Sequence, residues 1–336
     1  SFAPVVKWAA RAESAEAIPE LLAEGWRRAL TPPSGPVFVE IPVDHLTAAT
    51  DMPVGELDTK PVTPPVPDVG EASRVLRAAK NPVVWAGGGV LRSGAWHELA
   101  ELARQLDAPV ATTYMGKGAF PEDDPLSAGC ACDEGAFREL VEGADVLLCV
   151  GTELGAETTQ QYGLAFSGRI VQIDAAPERI GATYPALALV GDAKAILAAL
   201  LGRVEPRSGD GAERAAAVRR RIDAGLDEQE HELERGLLRT IREALPRDAV
   251  HAWDMTILAY WAAAHLPALA PRRFLYPLGS GTLGYAWPAA LGASLALPGA
   301  PVLAVAGDGG VLYGLQELAV ARQHGLDAVL LVVDDG

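Results

Sequence analysis

Short apolar runs alternate with amphipathic stretches along most of the chain. Between residues 69 and 202, helix-period stretches at Val69–Lys80, Ala95–Leu106 and Ala193–Leu201 are interleaved with strand-like runs. Those runs fall at Pro82–Ala86, Pro109–Thr112, Asp145–Val150, Ile170–Ile173 and Ala186–Val190. Strand, helix and strand in alternation is the pattern of a parallel sheet covered by helices. The same alternation returns over 231–336. Helices are predicted at Leu233–Leu245, Ile257–His265 and Pro288–Leu297, and strands at Ala249–Ala252, Phe274–Leu278, Val302–Ala306 and Ala328–Val333. The fold class is therefore α/β, with two parallel-sheet units flanked by helices.

The remaining segments read differently. In residues 1–50, a helix over Ala15–Leu30 carries Ile18, Leu21, Leu22 and Trp26, Gly35-Pro36 breaks it, and Val37–Ile41 is a short strand. One helix and one strand cannot bury a core alone, so this stretch reads as the tail of a domain. Five prolines between Pro53 and Pro67 stiffen 51–68 into a linker. Residues 203–230 open with Pro206, Ser208, Gly209 and Gly211, then become a charge-rich helical pattern around Arg214–Glu230. A charge run of this kind reads as a solvated linker helix.

The polar tips of the last apolar runs bring in chemistry. Val302–Ala306 ends in Gly307-Asp308-Gly309-Gly310, and Ala328–Val333 ends in Asp334-Asp335-Gly336. The helical pattern between them makes a βαβ unit, so both tips lie at one edge of the sheet, where open parallel sheets bind ligands. Glycines leave backbone N–H groups open to an anion, and a following helix N-terminus adds partial positive charge. Asp308 and Asp335 supply two hard oxygen ligands, enough for Mg2+ when phosphate oxygens and water complete its shell. A diphosphate with its magnesium is the expected ligand. G-D-G alone also reads as a plain tight turn; the second acidic tip and the Gly-rich stretch upstream are what point to a site. A generic NAD- or FAD-binding protein leaves the paired aspartates unexplained.

These residues resemble a known family. G-D-G, followed some 27 positions later by an Asn-Asn-like pair after a strand, is similar to the diphosphate–magnesium motif of thiamine-diphosphate (ThDP) enzymes. Leu278–Ala296, LGSGTLGYAWPAALGASLA, resembles the S-G-x-x-G-x-x-x-P-A-A-x-G-A segment of the same family. The closest group by pattern is the acetolactate-synthase-like set of 2-oxo acid decarboxylases and carboligases. The resemblance implies a ThDP-binding-type domain over 231–336, preceded by a Rossmann-like middle domain over 69–202. Gly35–Pro42 is similar to the end of the pyrimidine-binding domain. Asp308 and Asp335 fall on the side-chain metal positions, the second being Asn in most members. Gly307, Gly309 and Gly310 fall on the diphosphate loop, and Gly279, Ser280 and Gly281 on the turn near the diphosphate and thiazolium. Leu283 matches the bulky apolar residue under the cofactor's bend, and a plain core leucine is its other reading.

The implied reaction is loss of CO2 from a 2-oxo acid on the cofactor, followed by protonation or by addition to a second carbonyl compound. The family's activating glutamate belongs to an upstream domain that this sequence does not contain. The resemblance thus implies part of a longer enzyme, inactive by itself, and a homodimer or homotetramer when complete. A non-catalytic homologue serving as a binding module is the alternative. Some members hold FAD or ADP in the middle domain and many hold nothing. Gly87-Gly88-Gly89 does not have the G-x-G-x-x-G spacing, and VGTELGAE at Val150–Glu157 lacks the Arg/Asp-rich sequence of FAD-containing synthases. FAD is therefore the less favoured addition.

Charge and cysteine content narrow the partners. A formal net charge of −16 argues against nucleic acid and anionic membranes, and no run approaches the length of a membrane span. Three cysteines, an odd number, fit a reducing compartment, the cytoplasm. Cys149 lies in an apolar run and reads as packing. Cys130 and Cys132 have no second Cys/His pair nearby to make a metal site.

Overall fold

A computed structural model describes residues 2–51, 56, 58–229 and 231–334. Its strands, in chain order, are β1 (Trp8–Arg11), β2 (Val37–Glu40), β3 (Pro82–Ala86), β4 (Val110–Thr112), β5 (Ser127–Gly129) and β6 (Val146–Val150). Then come β7 (Arg169–Asp174), β8 (Ala186–Val190), β9 (Val250–Trp253), β10 (Phe274–Leu275), β11 (Val302–Gly307) and β12 (Val329–Val333). They form three sheets: β1-β2, β5-β4-β3-β6-β7-β8 and β10-β9-β11-β12. Every pair is parallel.

The six-stranded sheet is covered on both faces, which is why β3 and β6 read as unbroken apolar runs. Alternate residues of β3 serve opposite cores. Val84 packs with Leu76, Leu99, Leu106 and Ile196, whereas Val83 and Trp85 pack with Phe137, Leu147 and Cys149. The strand order reverses between β3 and β6, with Gly87 following one and Gly151 the other.

The four-stranded sheet is built the same way. Trp253 and Val305 pack with the helices Ile257–His265 and Glu232–Ala244. Val250, Ala252, Ala304 and Ala306 pack with the helix Ala286–Ala296. Register pairs Gly307 with Val333 and Val305 with Trp253. The polar residues after β9, β11 and β12 therefore emerge along one edge.

Several elements depart from the sequence pattern. The helix at Gly211–Asp227 is not wholly solvated: Ala215, Val218, Ile222 and Leu226 are buried against the six-stranded unit. The single helix expected after Gly310 is broken into Asp308–Val311, a 3-10 turn at Leu315–Glu317 and Leu318–His324. Gly314 stands at the break, close to the Pro288 ring. The strand expected over Phe274–Leu278 stops at Leu275, because Pro277 has no N–H to donate and Gly279 turns at φ +111°. Strands β1 and β5 and the helices Gly88–Ser93 and Gly135–Glu142 were not anticipated.

The two larger units meet along a seam. Glu122 N donates to Ala268 O at 3.1 Å, Arg272 donates to Leu91 O at 2.7 Å, and Arg247 pairs with Asp123. Lys117 is fully buried there, 2.8 Å from Glu122 Oε1 and 5.5 Å from the centre of the Phe274 ring. Among the described residues, no helix is long and apolar enough to cross a membrane.

Candidate cofactor site

The strand ends of the four-stranded sheet gather two glycine-rich segments around one buried carboxylate. Asp254 follows β9 directly and is 0% exposed. It accepts N–H bonds from Met255 at 3.1 Å, Gly284 at 2.8 Å and Tyr285 at 3.3 Å. It thereby pins the Gly279–Gly284 turn to the end of the central strand. Asp254 also lies against the second segment, since a Cβ built on Gly310 would meet its Oδ2 at 2.6 Å. The turn and the second segment touch as well: a Cβ on Gly284 would lie 2.5 Å from Tyr313 Cβ. Positive φ at Gly279, Gly281 and Gly284 explains why the turn is glycine-rich. Thr256 caps the next helix by accepting from Ala259 N at 3.2 Å.

The predicted residues distribute around this pin. Asp308 is exposed at the start of the short helix after β11, and Gly309 beside it is exposed, with open space where a side chain would be. Gly279 is also open. Ser280 and Gly281 are exposed, and Gly307 is the last residue of β11. Leu283 is 44% exposed, which removes the plain core reading. Its Cδ2 lies 4.0 Å from where a Gly310 Cβ would be. Asp335 lies outside the described residues; Asp334 follows β12 directly, next to the end of β11. Asp254 was not singled out by sequence reasoning, because a lone aspartate after a strand reads as a solvated loop residue. Its signal was its place directly after a strand, on the edge shared with Gly307.

The arrangement fits a diphosphate with a hard cation. Exposed glycines leave room for close approach, and Asp308 offers oxygen ligands beside them. The described residues gather no group of three metal-ligating side chains, so a cation here would draw further ligands from its anion. A hollow of about 1110 Å3 lies elsewhere. It is walled mainly by aliphatic side chains such as Leu237, Ile241, Leu295 and Leu303.

The glycines of the six-stranded unit are spent differently. Gly87 N donates to Val150 O at 2.8 Å and Gly89 N to Gly151 O at 2.9 Å. A Cβ on Gly89 would lie 2.5 Å from Gly151 Cα. These glycines let two strand ends approach, and the amides of Gly87 and Gly89 are committed to backbone. The cysteines are likewise internal: all three are free and buried, and burial pushes the Cys132 and Cys149 thiols up.

Comparison with known proteins agrees with this division. Residues 69–200 match the model of the thiamine pyrophosphate enzyme central domain, and residues 254–336 that of the C-terminal TPP binding domain. A probable 2-ketoarginine decarboxylase, AruI, from Pseudomonas aeruginosa is 38% identical over 98% of this chain and 60% of its own length. A probable acetolactate synthase large subunit from Methanocaldococcus jannaschii is 31% identical over 99% of this chain and 60% of its own. A sulfoacetaldehyde acetyltransferase from Roseovarius nubinhibens is 32% identical, covering 89% and 55%. The chain thus spans about three-fifths of the length of these relatives. With a parallel-sheet central domain followed by a TPP-binding domain, this chain belongs to the thiamine pyrophosphate enzymes.

Proposed function

We propose that this chain carries the diphosphate–magnesium side of a ThDP-dependent enzyme acting on 2-oxo acids, with acetolactate-synthase-like decarboxylation and carboligation. The observation that carries the reading is the exposed Asp308–Gly309 edge beside the Gly279–Gly284 turn, with Asp254 bonded to the turn and packed against Gly310. Asp308, with Asp335 as its partner, would hold the magnesium. The backbone at Gly309 and Gly310 would meet the diphosphate, and Leu283, standing out from the surface beside Gly310, would prop the cofactor's bend. The bound cofactor would supply the carbanion chemistry that decarboxylation needs. The chain's own task is then to fix the diphosphate end so that the reactive ring has one orientation.

A simple decarboxylase is the second reading, favoured by the likeness to the probable 2-ketoarginine decarboxylase. Product analysis separates the two. A carboligase consumes a second carbonyl compound for each CO2 released, and a simple decarboxylase yields the aldehyde. The complete protein is proposed to be at least a homodimer, an assembly supported by Leu312, Tyr313, Leu315 and Leu318, all exposed next to the site. The three buried free cysteines fit a cytoplasmic setting.

The direct test is calorimetric titration of ThDP into the full-length protein with Mg2+. Asp308→Ala should weaken binding on the order of 100-fold or more, since it strips a charged ligand from a metal–diphosphate cluster. Unchanged affinity would rule the site out.

A further inference from the structure

We propose that the seam between the six-stranded unit and the four-stranded unit holds a binding site for a small organic cation, an alkylguanidinium or alkylammonium group. The seam forms a pocket of about 310 Å3, open to solvent on one side. Its aromatic walls are Tyr114 from one side and Tyr260, Trp261 and Tyr276 from the other. Its acids are Asp133, Glu134 and Glu157, and no lysine or arginine lines it. Aromatic faces and carboxylates around one small volume attract a desolvated cation and repel an anion.

Two features of the lining call for a donor with positive charge. Tyr276 is only 6% exposed, and it is part of the pocket wall. A phenol oxygen at the wall of a pocket accepts hydrogen bonds, and an N–H of a guanidinium or ammonium group would donate to it. Burial pushes the Tyr276 phenol up to about 12, with Tyr260 and Glu157 adding to the rise, so at neutral pH it stays a hydroxyl.

The second feature is Glu134. Its nearest basic group is His265, with Nε2 at 3.9 Å. Burial, with Lys117 and Arg235 adding, lowers His265 to about 4, so the imidazole is neutral at pH 7 and gives no counter-charge. Burial and the neighbouring Asp133 raise the Glu134 carboxyl. Asp133 is held in place by the Tyr114 hydroxyl at 2.6 Å.

The cation has two potential sources. Glu157 and Leu278 also line the adjoining hollow, of about 320 Å3, that Gly279 borders. One source is therefore the far end of an extended substrate whose other end points to the Gly279 turn; this alone rests on the cofactor reading. The other is a free ligand, which does not.

Calorimetry of the full-length protein with butylguanidinium, against uncharged N-butylurea of the same shape, tests the site. Butylguanidinium should bind on the order of tenfold or more tighter than the urea. The double variant Glu134→Gln/Glu157→Gln should lose on the order of tenfold, and Tyr276→Phe a few-fold, with melting temperatures like the parent. Absence of binding, equal binding of both probes, or unchanged affinity in a double variant that melts like the parent would overturn the proposal. Displacement of butylguanidinium by a 2-oxo acid with a guanidinium end, but not by pyruvate, marks the substrate's tail. Intact binding without displacement marks a separate ligand. ThDP affinity should be the same in the double variant as in the parent, so the Asp308 test stands or falls on its own.

Discussion

Gly309 and Gly310 are neighbours with the same absent side chain, yet they serve different ends. A methyl on Gly310 would meet Asp254 Oδ2 at 2.6 Å, and one on Gly309 would meet nothing within 4 Å. Asp254 cannot retreat without giving up its three amide donors. Gly310→Ala should therefore cost about 1–3 kcal/mol by overpacking, read as a lower denaturation midpoint. Gly309→Ala should leave stability unchanged or raised by up to ~1 kcal/mol, while its methyl intrudes where the diphosphate would approach and weakens ThDP binding. Loss of both properties in one variant and neither in the other would refute this division. The histidines make a second residue-scale prediction. His251 is buried, its Nδ1 accepting from Trp253 Nε1 at 2.8 Å, and desolvation lowers it to about 3; His265 is lowered to about 4. Below pH 6.5 the unfolded chain takes up protons that the folded chain refuses. The stability these groups contribute is present above 6.5 and is lost as pH falls toward 4, at about 1.4 kcal/mol per pH unit for each histidine. His265→Gln should remove one of the two contributions, measurable as a shallower fall of the urea midpoint between pH 6.5 and 4.

The helix Gly211–Asp227 shows what charge conceals at the scale of an element. Its sequence is rich in arginine and acid, and reads as solvated. Its structure buries Ala215, Val218, Ile222 and Leu226 along one stripe, while Arg220 and Arg221 face outward and pair with Glu213 and Glu139. Ile222→Ala should cost about 2–4 kcal/mol through the cavity it leaves. Arg220→Ala should change stability by less than about 0.5 kcal/mol, as its ion pair is exposed. Equal effects in urea denaturation would mean that the stripe does not hold the helix to the sheet. The buried central strands were legible because a strand covered on both faces has no polar residue to confuse the pattern. Strand β5 was not legible: Ser127–Gly129 has only three residues, and its sequence is that of a loop. The Gly279–Gly284 turn was legible because its glycines adopt backbone angles that side chains disfavour, and the Gly307–Gly310 segment because a close approach, such as Gly310 to Asp254, leaves no room for a side chain. Asp254 was missed because burial is a property of the assembled edge, and nothing in its flanking residues distinguishes it from an exposed aspartate.

For the whole molecule, the position of the six-stranded unit against the four-stranded unit decides what the cofactor edge faces. Named contacts hold that position. Gly118, at φ +83°, brings its backbone close to Ala270 O, Glu122 N donates to Ala268 O, and the Lys117–Glu122 pair sits buried against Phe274. An ion pair in such a place contributes little net stability, because desolvation offsets most of the attraction, but either partner left alone is an uncompensated charge. Burial is the main cause that raises the Glu122 carboxyl, and Lys117 opposes it. Lys117→Met should therefore cost about 3–5 kcal/mol, and Lys117→Met/Glu122→Met should recover most of that. If the pair also sets the seam, the two variants will part company on the cavity there. Butylguanidinium binding should survive in the double variant, where the seam closes on apolar side chains of similar length. It should weaken in Lys117→Met, where water or a counter-ion must follow the stranded Glu122 inward. Equal stability of the single and double variants would assign Lys117 to packing rather than to charge.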